Sequence, residues 1–294
     1  MDCTATPTCR TDSRGTATTQ CTASDVLRWA ALPDLADAAT DQIVFPMRRV
    51  ASGRALIREG QPFERLHLVG SGSFKCIQTD AEGYEQVLAF AIHGDILGLD
   101  GLGQPQHTTG AVALEDSSVV ALPFQQLLTL SRTVPALEAL LHHAAGAEVL
   151  SRGDTHYLMS APGSEVRVAR FLLQLSRRQA ALGYSDRRLR MRMTRRDIAS
   201  YLGVAHETVS RALTALAHDG CIQLSQRDVD LVDVRVEPER GNHRTRCLRI
   251  VPARLEHVGT ERCGVLSQQR LVGGGRRGVR ARPHGPLRQS CDQQ

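Results

Sequence analysis

Four residues with hydrogen-bonding side chains, His206, Glu207, Ser210 and Arg211, fall at a spacing that puts them on one face of a helix. Arg211 can give two parallel hydrogen bonds to guanine, or hold a phosphate. Glu207 can accept from a cytosine amino group, and an acid is out of place beside DNA unless it reads a base. Ser210 can donate or accept. The plain alternative is a solvated polar face on an amphipathic helical hairpin.

The elements that must position these residues are legible around them. Residues Met193 to Gly220 read MTRRDIASYLGVAHETVSRALTALAHDG. Thr194 is placed to cap a first helix, with Asp197 three residues on as its reciprocal partner. Ile198, Ala199 and Leu202 form its apolar face, and Gly203 supplies a turn at positive φ. Val204, Val209, Leu213 and Leu216 continue the buried stripe on a second helix, which Gly220 ends. The four polar residues then lie near the N-terminus of the second helix, the end that enters the major groove in a helix–turn–helix. Ala205 stands where a Ser or Thr normally caps such a helix, an omission worth roughly 1 kcal/mol.

Composition sets the wider frame. The chain has 294 residues, suiting two domains, and is 41% hydrophobic. No run of about 18 apolar residues predicts a membrane span, and the first 21 residues hold no hydrophobic signal-peptide core. These features point to the cytoplasm and to no membrane partner. Lys75 is the sole lysine among 36 basic residues, a bias that reads first as that of a GC-rich genome. The net charge of +5 is unevenly spread: Glu165 to Leu216 holds 11 Arg and 4 acids. Arg187, Arg188, Arg190, Arg192, Arg195 and Arg196 cluster there, as phosphate binding requires.

Residues 1–23 are expected to be a disordered N-terminal segment, with Ser24 to Ala39 a short helical lead-in. From Gln42 to Leu130 the chain reads as many short strands, with turn glycines Gly60, Gly72, Gly83 and Gly94 at roughly even spacing. The fold class expected is therefore α+β, with an antiparallel β-barrel or jelly roll over residues 24–132. Pro135 to Met159 predicts a long helix within 133–160, and its stripe Leu137, Leu141, Ala144, Glu148 is the expected seam of a homodimer. Packing of that helix on its own barrel is the alternative. His142, His143 and Glu148 could suggest metal or acid–base chemistry but have no matched partner, and no enzyme is expected. Ala161-Pro162-Gly163 marks a hinge, and Glu165 to Leu182 predicts a supporting helix with Val168, Phe171, Leu172 and Leu175 inward. A winged helix–turn–helix fills 161–234, with Cys221 to Val234 as the wing. Residues 235–294 form an Arg/Gly-rich tail expected to lack order, either a basic nucleic-acid-binding arm or an out-of-frame extension.

Barrel, long helix and winged helix–turn–helix, in that order, resemble the Crp/Fnr superfamily of bacterial transcription regulators, and its Fnr branch most closely. The resemblance rests on Gly94-Asp95-Ile96-Leu97-Gly98-Leu99-Asp100, Ala113-Leu114-Glu115, Leu175-Ser176-Arg177-Arg178, Met193-Thr194-Arg195 and Glu207-Thr208-Val209-Ser210-Arg211, and covers about Ala30 to Val234. It adds Thr194, Arg195 and Thr208 to the DNA-binding set. It implies a cyclic-nucleotide-binding-like sensor domain, an activator acting with RNA polymerase, and a two-fold DNA site. The half-sites would be TTGAT-like and roughly 34 Å apart. His206 departs from the family pattern at the outer base.

The same resemblance frames the cofactor question. The cyclic-AMP branch needs an acidic residue after the second glycine and an Arg-Ser pair later; here Leu99-Asp100 follows Gly98, and Thr108 to Val112 lacks an Arg, so cyclic AMP is not expected. The Fnr branch holds a [4Fe–4S] cluster on four cysteines. Cys3, Cys9 and Cys21 are too loosely spaced for a standard cluster run, Val120 stands at the expected fourth position, and Cys76 lies on another strand. These four are weak ligand candidates; a standard cluster is not expected. Haem, a nitric-oxide or redox signal, and a cofactor-free regulator set by its own expression stay open. So does a ligand-binding module without specific DNA binding. Cys221, Cys247, Cys263 and Cys291 show no zinc-type pairing.

Overall fold

Antiparallel pairing organises the first half of the chain. The computed structural model describes residues 9–11, 17–226, 228–232, 235–238 and 248–251. In chain order, β1 (Cys9–Thr11), β2 (Ala17–Thr22), α1 (Ala23–Trp29), α2 (Ala38–Asp41), β3 (Val44–Val50), β4 (Ala55–Ile57), β5 (Arg65–Ser71), β6 (Phe74–Thr79), β7 (Glu85–Ala91), β8 (Ile96–Leu97), β9 (Gly110–Ala113) and β10 (Ser117–Pro123) build the barrel region. Two sheets result, β1-β2-β3-β10-β5-β8 and β4-β9-β6-β7, with β7 at an edge of the second. Gly60, Gly72, Gly83 and Gly94 all adopt positive φ, between 75° and 87°, as the turn spacing predicts.

The strands sort their side chains by alternation. Val119 of β10 and Val69 of β5 point into the space between the sheets, where they meet Leu56, Ile57, Phe74, Ala111 and Ala113. Val120 and Leu122 of β10, with Leu66 and Leu68 of β5, point the other way and pack with Cys21, Val26, Leu27 and Phe45. That outer cluster is closed by α3 (Phe124–Ser131) and the start of α4 (Pro135–Met159), through Leu127, Leu137 and Leu140.

Four expectations need correction here. Ala17–Thr22 lies inside the segment expected to be disordered, yet it pairs with β3, Cys21 opposite Phe45. The lead-in from Ser24 is broken into α1, a short turn of 3₁₀ helix at Pro33–Leu35 and α2, because Pro33 cannot continue a helix. Phe124–Ser131 is helix rather than strand; Leu127 alone of that turn is fully buried, against the outer sheet face. The tail expected to lack order from Arg235 begins with a hairpin, β14 (Arg235–Pro238) paired with β15 (Leu248–Val251). The rest of the tail, including Cys247, Cys263 and Cys291, lies outside the described residues.

The second half is helical. α5 (Ser164–Ala181) buries Val168, Phe171, Leu172 and Leu175, the inward set the periodicity predicts. It supports α6 (Arg195–Leu202) and α7 (His206–His218), while β11 (Arg188–Arg190), β13 (Asp228–Leu231) and β12 (Ile222–Ser225) make the three-stranded wing. All described elements belong to one unit, Met1–Arg254; Leu255–Gln294 forms the other and lies outside the described residues. Among the described residues no helix is long and apolar enough to cross a membrane.

Candidate nucleic-acid interface

The helix–turn–helix is assembled by local chemistry. Thr194 Oγ1 accepts from the Asp197 amide at 3.1 Å, and the Asp197 carboxylate accepts from the Thr194 amide at 2.9 Å, completing the reciprocal cap of α6. Gly203 ends the helix at φ 62° and ψ 40°, the left-handed region. A Cβ there would meet nothing within 4 Å, so the backbone angle, not space, requires glycine. Ala205 precedes α7 in the extended conformation of a capping residue, but no side chain bonds the helix amides. Val209, Ala212, Leu213 and Leu216 are buried under α7, locking its register.

That packing leaves His206, Glu207, Ser210 and Arg211 exposed together on α7. Arg211 forms no ion pair among the described residues and is available to a base or phosphate. His206 Nε2 lies 3.2 Å from a Glu207 carboxylate oxygen. Ser210 Oγ donates back to the His206 carbonyl at 3.2 Å. Thr208 is half-buried beside them, and Thr194 is exposed with its hydroxyl committed to the cap. Arg195 is half-buried, and its Nη1 is buried without a partner among the described residues. Burial lowers its pKa below that of a free arginine, which a phosphate at Nη1 would reverse. The basic cluster divides: Arg188 is held by Asp228 at 3.2 Å and Arg192 by Glu115 at 3.1 Å. Arg187, Arg190 and Arg196 stay exposed without ion pairs among the described residues.

The stripe expected to form a dimer seam splits. Leu137 and Ala144 are buried within the protomer, and Leu141 is half-buried against the same cluster, because α4 begins by packing on α1, α3 and the turn at Leu99–Gly101. Glu148 is partly exposed and accepts from Arg152 at 2.9 Å. The opposite face is open: Val149 and Leu150 are 70% and 73% exposed, and Tyr157 61%.

In the barrel, Asp100 occupies the loop where the resemblance puts a phosphate cradle. Its Oδ2 accepts from the Thr108 and Thr109 amides at 2.8 and 2.9 Å, and its Oδ1 contacts His107 Nδ1 at 3.1 Å. Burial would raise this carboxyl, yet these bonds outweigh it and hold its pKa below the ordinary value.

Of the cysteines, Cys21 lies in the outer cluster with Val120, whereas Cys76 packs against the cluster between the sheets. Burial, then the charge of Asp25, pushes the Cys21 thiol up to about 12; burial, then Glu148, does the same to Cys76. Both are protonated at neutral pH, the opposite of a poised thiolate. Cys3 lies outside the described residues, and nothing is described of the Cys9 side chain.

Comparison with known proteins agrees with this arrangement. Residues 47–133 match the cyclic nucleotide-binding domain and residues 166–236 the Crp-like helix-turn-helix domain. The chain is 36% identical over 194 residues to the transcriptional regulatory protein btr of Bordetella pertussis, covering 66% of this chain and 80% of that one. It is 33% identical over 191 residues to the fumarate and nitrate reduction regulatory protein of Escherichia coli K12, covering 65% and 76%. Among solved structures, FixK2 from Bradyrhizobium japonicum aligns with a TM-score of 0.57 at 30% identity, over 64% of this chain and 93% of that one. The chain belongs to the Crp/Fnr family of bacterial transcription regulators.

Proposed function

We propose that the protein acts in the cytoplasm as a homodimer on a two-fold DNA site with TTGAT-like half-sites, one α7 per half-site. The observation that carries this reading is the set Glu207, Ser210 and Arg211, presented outward on a helix whose other face is locked in a core. Arg195 and the unpaired Arg187, Arg190 and Arg196 supply phosphate contacts and the salt dependence of binding.

Dimerisation runs along α4, on the face turned away from the barrel. His143, Gly146, Leu150, Gly153 and Tyr157 are all exposed and follow a three–four spacing, the pattern of a coiled-coil seam. No side chain crowds Gly146 or Gly153, so a second helix can approach closely there.

Cyclic AMP is not the signal in this reading: the Asp100 carboxylate sits on the Thr108 and Thr109 amides, and Thr108 to Val112 offers no arginine to pair a phosphate. An oxygen, redox or nitric-oxide signal is what the resemblance to the Fnr branch implies, and in this reading the regulator activates through RNA polymerase. The test is competition binding of a TTGAT palindrome against a scrambled duplex of equal length at fixed salt. A preference of at least about 1,000-fold is expected; equal binding would refute the proposal.

A further inference from the structure

The barrel and the DNA-binding helices share one hydrophobic cluster. Ile77, Val87 and Phe90 from the second sheet pack with Phe171, Tyr201, Leu202 and the core under α7. Phe90 sits 5.9 Å from Phe171 and 5.3 Å from Tyr201, ring centre to ring centre. Around this core lies a set of directed bonds. Lys75 Nζ of β6 donates to an Asp197 oxygen of α6 at 2.8 Å, with the two side chains only 20% and 11% exposed. Ser200 Oγ accepts from the Val87 amide at 2.9 Å and donates to the Glu85 carbonyl at 3.2 Å. The hydroxyl thus satisfies two groups on the free edge of β7, as a neighbouring strand would. The Gln86 side chain donates to the Ser200 carbonyl, and Arg178 of α5 holds both the Phe90 carbonyl and the Asp95 carboxylate.

Asp197 serves both sides of this contact. Its Oδ2 completes the cap with Thr194 while Oδ1 takes Lys75. Burial would raise its pKa, but the bonds from Lys75 and Thr194 outweigh that and keep it depressed. The contact uses Asp197, Ser200 and Tyr201 of α6 and leaves the base-facing residues of α7 exposed. It therefore fixes the orientation of the DNA-binding helices without covering them.

We propose that Lys75 and Ser200 are positioning residues: through β6 and β7 they clamp α6 to the sensor barrel and set the angle at which each α7 meets its half-site. The inference rests on the dimeric, two-fold reading above. Two recognition helices match half-sites one turn apart only if each is held rigidly to its own barrel. Thr155 and Leu158 at the end of α4 also reach this cluster, and Lys75 and Ser200 add the directed bonds from the sheet. A signal that moves β6 or β7 then reaches the DNA contact through this cluster and its directed bonds, of which Lys75 and Ser200 hold α6 itself.

The test compares wild type with Lys75→Met/Ser200→Ala on three duplexes: two TTGAT half-sites one turn apart, the same with two base pairs added between them, and a single half-site. Wild type should prefer the first spacing, and the variant should lose about ten-fold of that preference, with single-site binding unchanged. Lys75→Arg should restore part of it. A variant that keeps the wild-type spacing preference overturns the clamp, as does an equal loss on all three duplexes. A wild type indifferent to the second half-site sinks the dimeric reading itself. Should the double variant fail to fold, Lys75→Gln alone carries the same comparison.

Discussion

At the scale of single residues, the proposed reading face depends on where its neighbours' hydrogen bonds go. Thr194 and Asp197 are committed to the cap and Asp197 also to Lys75, whereas Arg211 keeps no ion pair among the described residues and is the group the proposal gives to base discrimination. Ala205 is the weak point. Its backbone already has capping geometry, φ −68° and ψ 150°, without a side chain to use it. Ala205→Ser should therefore raise unfolding free energy by about 1 kcal/mol in urea titration; no change would mean the α7 amides are satisfied another way. His67 makes a different prediction. It is buried on β5 with Nδ1 unpartnered among the described residues, and burial, then the charges of Arg48, Arg65 and His107, lowers its pKa to about 3. The unfolded chain takes up this proton near pH 6.5, its ordinary value, while the folded chain resists to about 3. Its contribution to stability is thus complete above pH 6.5 and lost as pH falls toward 3, with a slope approaching about 1.4 kcal/mol per pH unit. His67→Phe should flatten that part of the stability curve between pH 7 and 5; identical curves would contradict the assignment.

At the scale of elements, α4 carries the proposed dimer seam. It starts in the barrel cluster through Leu137 and Leu140, ends in the DNA-binding cluster through Leu158, and is exposed on most sides between. Leu150→Asp should give a monomer in sedimentation, with weaker binding to a two-fold site and little loss of folding stability. A variant that stays dimeric would remove α4 from the interface. This element also shows where sequence reading stops. Helix length was legible from Pro135 to Met159, but periodicity alone could not tell which of two apolar faces meets the protomer's own barrel. The helix–turn–helix was legible nearly residue by residue, because Thr194, Asp197 and Gly203 act on their immediate neighbours. The strand β2 was not: its residues, ATTQCT, gain order from pairing with distant β3 rather than from local preference. The contact through Lys75 and Ser200 was equally hidden, although the one lysine of an arginine-rich chain marks one end of it.

At the scale of the whole molecule, sensor and reader are joined by one cluster and a ring of directed bonds, so a change in the barrel has a physical route to α7. The central claim is still that α7 reads DNA by base contacts, and one measurement addresses it most directly. Arg211→Ala and wild type are titrated against the TTGAT palindrome and against the same duplex with the guanine of each half-site replaced. Wild type should lose roughly 1–3 kcal/mol per half-site when the guanine is replaced, and Arg211→Ala should be indifferent to that replacement while binding the parent site correspondingly more weakly. A variant that still distinguishes the two duplexes as wild type does would contradict the account.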